Sequence, residues 1–178
     1  MYDNPVLLII DVQLGMFIDE NDPIYEADQF LSRVKNLLQR ARLAKIPRIF
    51  IQHDGQPGSV LEPETPGWYI HPSITPSDEE IVIRKKTPSS FVGTDLDLRL
   101  HEMNINTLLI CGLQTEFCID STVRHASFLG YHVILIKDAH STFNSTILTA
   151  HQIIAHHNSI IDGRFAELLT EEDIQFEE

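Results

Sequence analysis

The sequence predicts an α/β fold in which a mostly parallel sheet of about six strands lies between two layers of helices. Short, continuous apolar runs, such as PVLLIIDV at 5–12, are typical of strands that are buried on both faces of a parallel sheet. These runs alternate along the chain with segments whose apolar residues recur at helical spacing. We therefore expect a three-layer α/β/α arrangement with the Rossmann-like strand order 3-2-1-4-5-6.

Three strands and two helical segments are predicted in the first half of the chain. The first strand is followed by a helix over 26–45, because the apolar residues of this segment fall on one helical face. The second and third strands, at 47–53 and 79–85, are separated by a segment at 54–78 that is rich in Pro, Gly and acidic residues. We interpret this segment as a long surface loop, and loops of that length are often functional. A short helical stretch over 95–104 completes this half.

The second half of the chain continues the alternation. Three further strands are predicted, at 107–112, 131–139 and 158–163. Helices are expected between them, over 115–130 and over 145–157. The chain has 178 residues and shows neither an internal repeat nor a linker that would divide it. We therefore predict a single domain over 1–178.

Composition and charge disfavour several classes of partner. The formal net charge is −13, which opposes binding to nucleic acid or to an anionic membrane. No apolar run reaches the roughly 20 residues that a membrane-spanning helix needs. The first residues, MYDNPVLLII, lack the basic region of a signal peptide. We expect a cytoplasmic protein that acts on a small-molecule substrate, with no nucleic acid and no membrane as partners.

Polar residues stand where the predicted strands end. Asp11 closes the first strand, His53 the second and Lys85 the third. The segments GLQTEFC at 112–118 and KDAHSTF at 137–143 follow the fourth and the fifth. Because ligands of such folds bind beyond the carboxyl ends of the strands, we expect these residues to meet at one edge of the sheet.

The two cysteines of the chain occupy different settings. Cys111 lies inside an apolar strand, where a buried and inert thiol is expected, and a disulfide is not expected in a cytosolic chain of this size. Cys118 lies in the first turn of the helix predicted from Thr115, where free N–H groups and the helix dipole lower the pKa of a thiol. Asp11 is suited to carry its proton and Lys85 to stabilise its thiolate. The alternative is that Cys118 is a small core residue.

Four segments together resemble the isochorismatase-like cysteine hydrolase superfamily, which includes nicotinamidases, N-carbamoylsarcosine amidases, streptothricin hydrolase and isochorismatase. IIDVQLGMF is similar to the first-strand block with its Asp-x-Gln, and IRKKTPSSFVGTDLDLRL to the lysine block. LLICGLQTEFCIDSTVRHASFLGY is similar to the nucleophile block, and VILIKDAHST to the strand and loop that follow it. All four occur in the order of the family, each at the end of a predicted strand.

The resemblance implies a catalytic triad of Asp11, Lys85 and Cys118. Lys85 is preferred to Lys86 because its spacing to the Ser-Phe pair at 90–91 fits the lysine block. This triad implies a cysteine-dependent hydrolase that cleaves a C–N bond of an amide, a carbamoyl compound or a lactam through a thioester intermediate. The pattern is most similar to the nicotinamidase-related group that includes streptothricin hydrolase.

The resemblance also implies how the substrate would be held. The family has a non-proline cis peptide after the glycine of the nucleophile block, which corresponds to the bond between Leu113 and Gln114. The backbone N–H groups of Gln114 and Cys118 would form an oxyanion hole. Candidate substrate-binding residues near this position are Gln13, Phe17, His53, Trp68 and Phe117.

Neither a cofactor nor a metal ion is expected. His53, Asp54 and His71 are the residues that come nearest to a metal-ligand set at the sheet edge. Metal-dependent nicotinamidases have an Asp-x-His pair after the second strand, whereas here the histidine directly precedes the aspartate in QHDG. The histidines of the helix predicted over 145–157 are expected on a solvated surface, because they have no cysteine or acidic partners.

Two other functions remain open at this point. One is vinyl ether hydrolysis of the isochorismatase type. The other, of a different class, is non-catalytic binding of a small molecule or thiol-redox chemistry at Cys118. Receiver domains, haloacid-dehalogenase-type phosphatases and dinucleotide binders are disfavoured, because Val12 and Gln13 follow Asp11 and DVQLGMF has a single glycine. By family analogy alone we expect a homo-oligomer, a dimer or a tetramer.

Overall fold

The sheet has the predicted strand order. The computed structural model describes residues 2–19 and 21–176. Within these residues six parallel strands form one sheet in the order β3-β2-β1-β4-β5-β6, which confirms the predicted topology. The strands are β1 (Pro5–Ile10), β2 (Arg48–His53), β3 (Ile81–Lys85), β4 (Thr107–Leu113), β5 (His132–Ser141) and β6 (Glu167–Leu169).

Helices occupy the connections between the strands. The α-helices of the described residues are α1 (Ala27–Leu43), α2 (Leu96–Glu102), α3 (Asp120–Leu129) and α4 (Ala150–Ile161). Shorter 3₁₀ turns lie at Leu14–Phe17, Pro66–Trp68 and Pro72–Ile74, and a π-helical turn lies at Thr115–Ile119. None of the helices in 2–19 and 21–176 has both the length and the apolar character that a membrane crossing requires.

Both faces of the sheet are buried. In β1, Val6, Leu8 and Ile10 belong to an apolar cluster that includes residues of α2 and α3. The intervening Leu7 and Ile9 belong to a second cluster, which includes the apolar face of α1. All five side chains are at most 1% exposed. The continuous apolar runs of the sequence therefore form the middle layer of three, as expected for parallel strands.

The last strand and the last helix differ from their predicted bounds. The segment 158–163 was predicted as a strand, but α4 continues to Ile161 and the last strand is β6, which pairs with β5. Thr149 and Gln152 form a capping box that starts α4 five residues later than predicted, so the helix extends further along the chain. An apolar pair at 160–161 fits a helix and a strand equally well, and only packing decides between them.

At the site edge of the sheet, β4 passes very close to β1. Gly112 is paired in register with Ile10, and a Cβ atom at Gly112 would lie 2.1 Å from the carbonyl oxygen of Ile10. Its φ of +130° is also one that other residues rarely adopt. The second peptide bond after Gly112, between Leu113 and Gln114, is cis. Glycine at this position lets the end of β4 lie directly beside the end of β1.

We predict that Gly112→Ala is severely destabilising, because the added methyl group overlaps backbone atoms that cannot move aside. The expected loss in the free energy of unfolding is more than about 4 kcal/mol, measured by urea denaturation. Gly163→Ala is the matched control, since Gly163 also has a positive φ, +65°, but has open space around it. That variant is expected to lose only about 1–2 kcal/mol. If the two variants lost equal amounts of unfolding free energy, the close approach of Gly112 to Ile10 would be contradicted.

Candidate active site

Three neighbouring strands bring three polar side chains to the carboxyl edge of the sheet. Asp11 follows β1 with a positive φ of +52°, and its N–H donates to the carbonyl oxygen of Ile51 in β2 at 3.0 Å. His53 and Lys85 are register partners at the ends of β2 and β3. Cys118 reaches the same edge from the π-helical turn after β4. These polar residues therefore lie close together at one edge of the sheet, as their positions at the strand ends predicted.

The ammonium group of Lys85 lies at the centre of this group. Its Nζ atom is 2.5 Å from Oδ2 of Asp11 and 3.2 Å from Sγ of Cys118. It is 3.1 Å from Nδ1 of His53 and donates to the carbonyl oxygen of Thr87 at 3.1 Å. Its side chain is fully buried, so the ammonium exchanges water for these protein partners. One cation thus holds a carboxylate, an imidazole and a thiol around it.

The surroundings of Cys118 favour its protonated, neutral thiol. Burial, and secondarily the negative charge of Asp11, raises the pKa of the Cys118 thiol to about 12. The expectation of a lowered thiol pKa is therefore wrong, because desolvation outweighs the helix start and the ammonium. Burial also raises the pKa of Asp11, although Lys85 opposes this effect. The result is a neutral thiol beside a carboxylate that is a stronger base than an ordinary aspartate.

The carboxylate of Asp11 has capacity to accept a further proton. Among the described residues, its oxygen atoms have the Lys85 ammonium beside them and receive no other hydrogen bond from nitrogen or oxygen donors. The carboxylate, the ring nitrogen of His53 and the sulfur of Cys118 lie within 4.8 Å of one another. Proton transfer between Cys118 and Asp11 therefore requires only small movements.

His53 connects this group to a cavity of about 520 Å³. Its Nδ1 atom faces the Lys85 ammonium and accepts from it, which leaves Nε2 as the protonated nitrogen of a neutral ring. Burial, together with the charge of Lys85, lowers the pKa of His53 and favours this neutral form. His53 and Gln114 both line the cavity. Of the candidate substrate-binding residues, His53 is the one that lies against it.

Gln13 does not face the cavity. Its side chain is fully buried, its Oε1 accepts from the N–H of His53 at 2.8 Å, and its Nε2 donates to the carbonyl oxygens of His53 and Trp68. All three hydrogen bonds of the Gln13 amide group are therefore made with backbone groups. Gln13 therefore ties the end of β1 to the end of β2 and fixes the backbone that carries His53. Its candidate role in substrate binding is corrected to a positioning role.

None of the three aromatic candidates belongs to the lining of this cavity. The ring of Phe17 packs against Phe30 and His71, on the side of the sheet that α1 covers. Trp68 donates from Nε1 to Asp54 at 2.9 Å and lines a separate cavity. Phe117 is 52% exposed beside Cys118 in the π-helical turn. The sequence analysis selected these residues for their closeness to the site motifs or their position in the long loop. Neither criterion showed which of them would line the cavity.

The metal-ligand set considered from the sequence does not assemble. Asp54 pairs with Arg84 at 2.8 Å, and the imidazole of His71 accepts from the N–H of Ser73. A different triplet, Asp11 with His53 and Cys118, has the donor atoms and the proximity that a metal site needs. The Lys85 ammonium, however, lies within 3.2 Å of all three. A positive charge at that position opposes the binding of a metal cation.

A buried polar network behind the π-helical turn at Thr115–Ile119 was missed by the sequence analysis. His140, 3% exposed, bonds through Nδ1 to the hydroxyl of Thr115 at 2.8 Å and through Nε2 to Asn158 of α4 at 2.9 Å. Burial lowers the pKa of His140 to about 4, so the ring is neutral. The hydroxyl of Thr142 likewise donates to Glu116 at 2.9 Å. The only signal in the sequence was the polar block HST directly after a predicted strand.

Comparison with known proteins identifies relatives of this chain. The family model described as Isochorismatase domain matches residues 5–173. Streptothricin hydrolase from Streptomyces noursei is 38% identical over 138 residues, which are 78% of this chain and 50% of that protein. The chain thus spans about half the length of the two streptothricin hydrolases that it matches.

Other relatives match over nearly the whole chain. The uncharacterized isochorismatase family protein YddQ from Bacillus subtilis is 31% identical over 172 residues, 93% of this chain and 96% of that protein. The crystal structure of an isochorismatase family protein is 34% identical, with a TM-score of 0.88, and the match covers 96% of this chain and 100% of that one. The family model, which matches residues 5–173, includes the four segments that carry the resemblance.

We predict that Asp11→Asn increases the rate at which iodoacetamide alkylates Cys118 near neutral pH. Removal of the carboxylate charge lowers the thiol pKa, because Asp11 opposes the thiolate and Lys85 then stabilises it without competition. The expected gain is at least about threefold, since a lower pKa also weakens the nucleophile. Asparagine is tolerated at a positive φ, so the backbone is preserved.

The control for this experiment is Asp162→Asn, which removes one charge beside the exposed start of β5, at the opposite edge of the sheet. Its alkylation rate is expected to equal that of the unmodified protein. Slower alkylation in Asp11→Asn, with an intact circular dichroism spectrum, would contradict the electrostatic arrangement described above.

Proposed function

The chain belongs to the isochorismatase family, and we propose on that basis that it is a cysteine-dependent hydrolase that cleaves a C–N bond of a small molecule. The observation that carries the proposal is the Lys85 ammonium, which contacts both the Asp11 carboxylate and the Cys118 sulfur. A nucleophile, a proton carrier and a cation in direct contact are what covalent hydrolysis of an amide requires. The similarity to streptothricin hydrolase supports an amide, carbamoyl compound or lactam as the substrate class.

The proposed reaction begins with proton transfer from the Cys118 thiol to Asp11 as the sulfur attacks the carbonyl carbon. The new S–C bond forms while one electron pair of the C=O bond moves to oxygen. When this intermediate collapses, the C–N bond breaks and the amine or ammonia leaves with the proton from Asp11. A thioester remains on Cys118.

Water completes the proposed cycle. Asp11 accepts a proton from the water molecule as its oxygen attacks the thioester carbon. The S–C bond then breaks, the acid product leaves, and the sulfur regains the proton from Asp11. Lys85 keeps its charge throughout and stabilises whichever of the carboxylate and the thiolate is ionised. The raised pKa of Asp11 suits this role, because a stronger base takes the thiol proton more readily.

We place the substrate carbonyl beside the π-helical turn. Gln114 lines the cavity immediately before this turn, and Cys118 lies within it. In the proposal, the backbone N–H groups of these two residues hold the developing oxyanion. His53 presents its protonated Nε2 as a hydrogen-bond donor to a substrate acceptor. The network of His140 with Thr115 holds the turn in place from behind.

We predict that Cys118→Ala abolishes turnover of small amides, carbamoyl compounds and lactams, whereas Cys111→Ala retains it. Cys111 is fully buried in β4, and burial raises its pKa, so it is an inert thiol of the same chemical type. The assay follows release of ammonia or amine from a substrate panel and detects an acyl adduct on Cys118 by mass spectrometry. Loss of Cys118 is expected to reduce the rate by at least about 10⁴-fold.

Two results would contradict this function. One is full activity of a folded Cys118→Ala protein toward a substrate from the panel. The other is product release from a vinyl ether with no reaction of any amide, which would favour the isochorismatase-type reaction instead. Circular dichroism of both cysteine variants separates loss of chemistry from loss of fold.

We predict that kcat/KM falls on the acid side as Asp11 becomes protonated. Because burial raises the pKa of Asp11 above 3.8, the midpoint of this limb lies above pH 3.8. Ionisation of the thiol, with a pKa of about 12, contributes no change near neutral pH. His53→Gln is the control, because an acid limb that persists without the imidazole cannot arise from its protonation. A rate that stays constant down to acid unfolding would contradict the role of Asp11.

A further inference from the structure

The cavity beside the site has a strongly asymmetric charge. Its walls are mainly apolar and include Met16, Ile18 and Phe143. Among the described residues that line it, those with a formal charge are Asp19 and Asp22, since His53 is neutral. Both aspartates are exposed, in the segment that follows the first 3₁₀ turn. The Asp19 carboxylate is oriented by the N–H of Asn21, which donates to Oδ1 at 2.9 Å.

The segments that build the cavity carry no basic residue. Residues 12–32 contain five acidic residues and no Lys or Arg, and residues 49–83 contain six acidic residues and again no Lys or Arg. The segments 113–123 and 139–163, which supply Gln114 and Phe143, also lack Lys and Arg. The absence of Lys and Arg is therefore a property of all four segments.

The cations at the end of β3 and directly after it already have partners or lie outside the cavity lining. Lys85 is paired with Asp11 at 2.5 Å. Arg84 is paired with Asp54 at 2.8 Å and lies over the ring of Trp68. Lys86 is exposed and is absent from the cavity wall. An anionic substrate would therefore enter a cavity with two negative side chains and no uncommitted cation among its described lining residues.

We propose that this enzyme selects substrates that carry a positive charge, such as an amine or a guanidinium group, and that Asp19 and Asp22 determine this selectivity. The inference rests on the proposed function and adds the charge class of the substrate to it. The apolar wall takes the body of the substrate, and the aspartates take its cationic end. Asp11 and Lys85, which are paired at 2.5 Å, add no net charge beside the cavity. Dicarboxylates such as isochorismate are disfavoured by the charges of the two aspartates.

Charged thiol reagents test this selectivity without a known substrate. Cys118 is modified with trimethylammonioethyl methanethiosulfonate, which is cationic, and with sulfonatoethyl methanethiosulfonate, which is anionic. The rate ratio of the two reagents is divided by the same ratio for a small thiol in solution. This normalised ratio is expected to exceed one for the unmodified protein. In Asp19→Asn/Asp22→Asn it is expected to fall by about fivefold at low ionic strength and less at high salt.

The control is Asp162→Asn, which removes a charge at the opposite edge of the sheet and is expected to leave the ratio unchanged. Cys118→Ala gives the background from Cys111. A normalised ratio at or below one, or a ratio that the double variant does not change, would overturn the proposal. Absence of reaction at Cys118 with both reagents would also overturn it, because the cavity would then not lead to the thiol. If only the hydrolase proposal is wrong, the thiol reagents still show charge selectivity, but the amide assay detects no acyl adduct on Cys118.

Discussion

The arrangement of the site depends on one buried ammonium group. Removing a charged amine from water is costly unless the protein supplies partners, and Lys85 receives four: a carboxylate, a thiol, an imidazole and a backbone carbonyl. These partners come from β1, β2, the loop after β3 and the turn after β4. To supply these partners to one ammonium group, the ends of four parallel segments must come within a few ångströms of one another.

Backbone geometry makes that convergence possible. Gly112 allows β4 to pass against Ile10, so that the turn with Cys118 starts beside Asp11. On the other side of β1, Gln13 uses its whole amide group to hold the backbone at His53 and Trp68. The buried network behind Thr115 supports the nucleophile turn from the far side. The reactive side chains are thus held by residues that take no part in the proposed chemistry.

Burial changes the chemistry of the cysteine. A thiol at the start of a helix in water would be acidified by the free N–H groups, but Cys118 is desolvated and faces a carboxylate, and both effects raise its pKa. The same desolvation strengthens Asp11 as a base. In the proposed mechanism the thiolate forms only as the sulfur attacks, which protects the thiol from unrelated electrophiles. The acidic cavity then adds a selection by charge before any reaction at the sulfur.

The sequence by itself determined the layers, the strand order and the positions of the first five strands, because unbroken apolar runs and helical periodicity record which surfaces are buried. It also placed Asp11, Lys85 and Cys118 at one edge, since parallel strands share the direction of their ends. Tertiary structure alone decided the raised pKa of Cys118, the backbone role of Gln13 and the separation of Trp68 from the cavity. It also decided that 158–161 are helical. Each of these features depends on which residues from distant parts of the chain are neighbours in the folded protein. The local pattern of apolar and polar residues does not specify those neighbours.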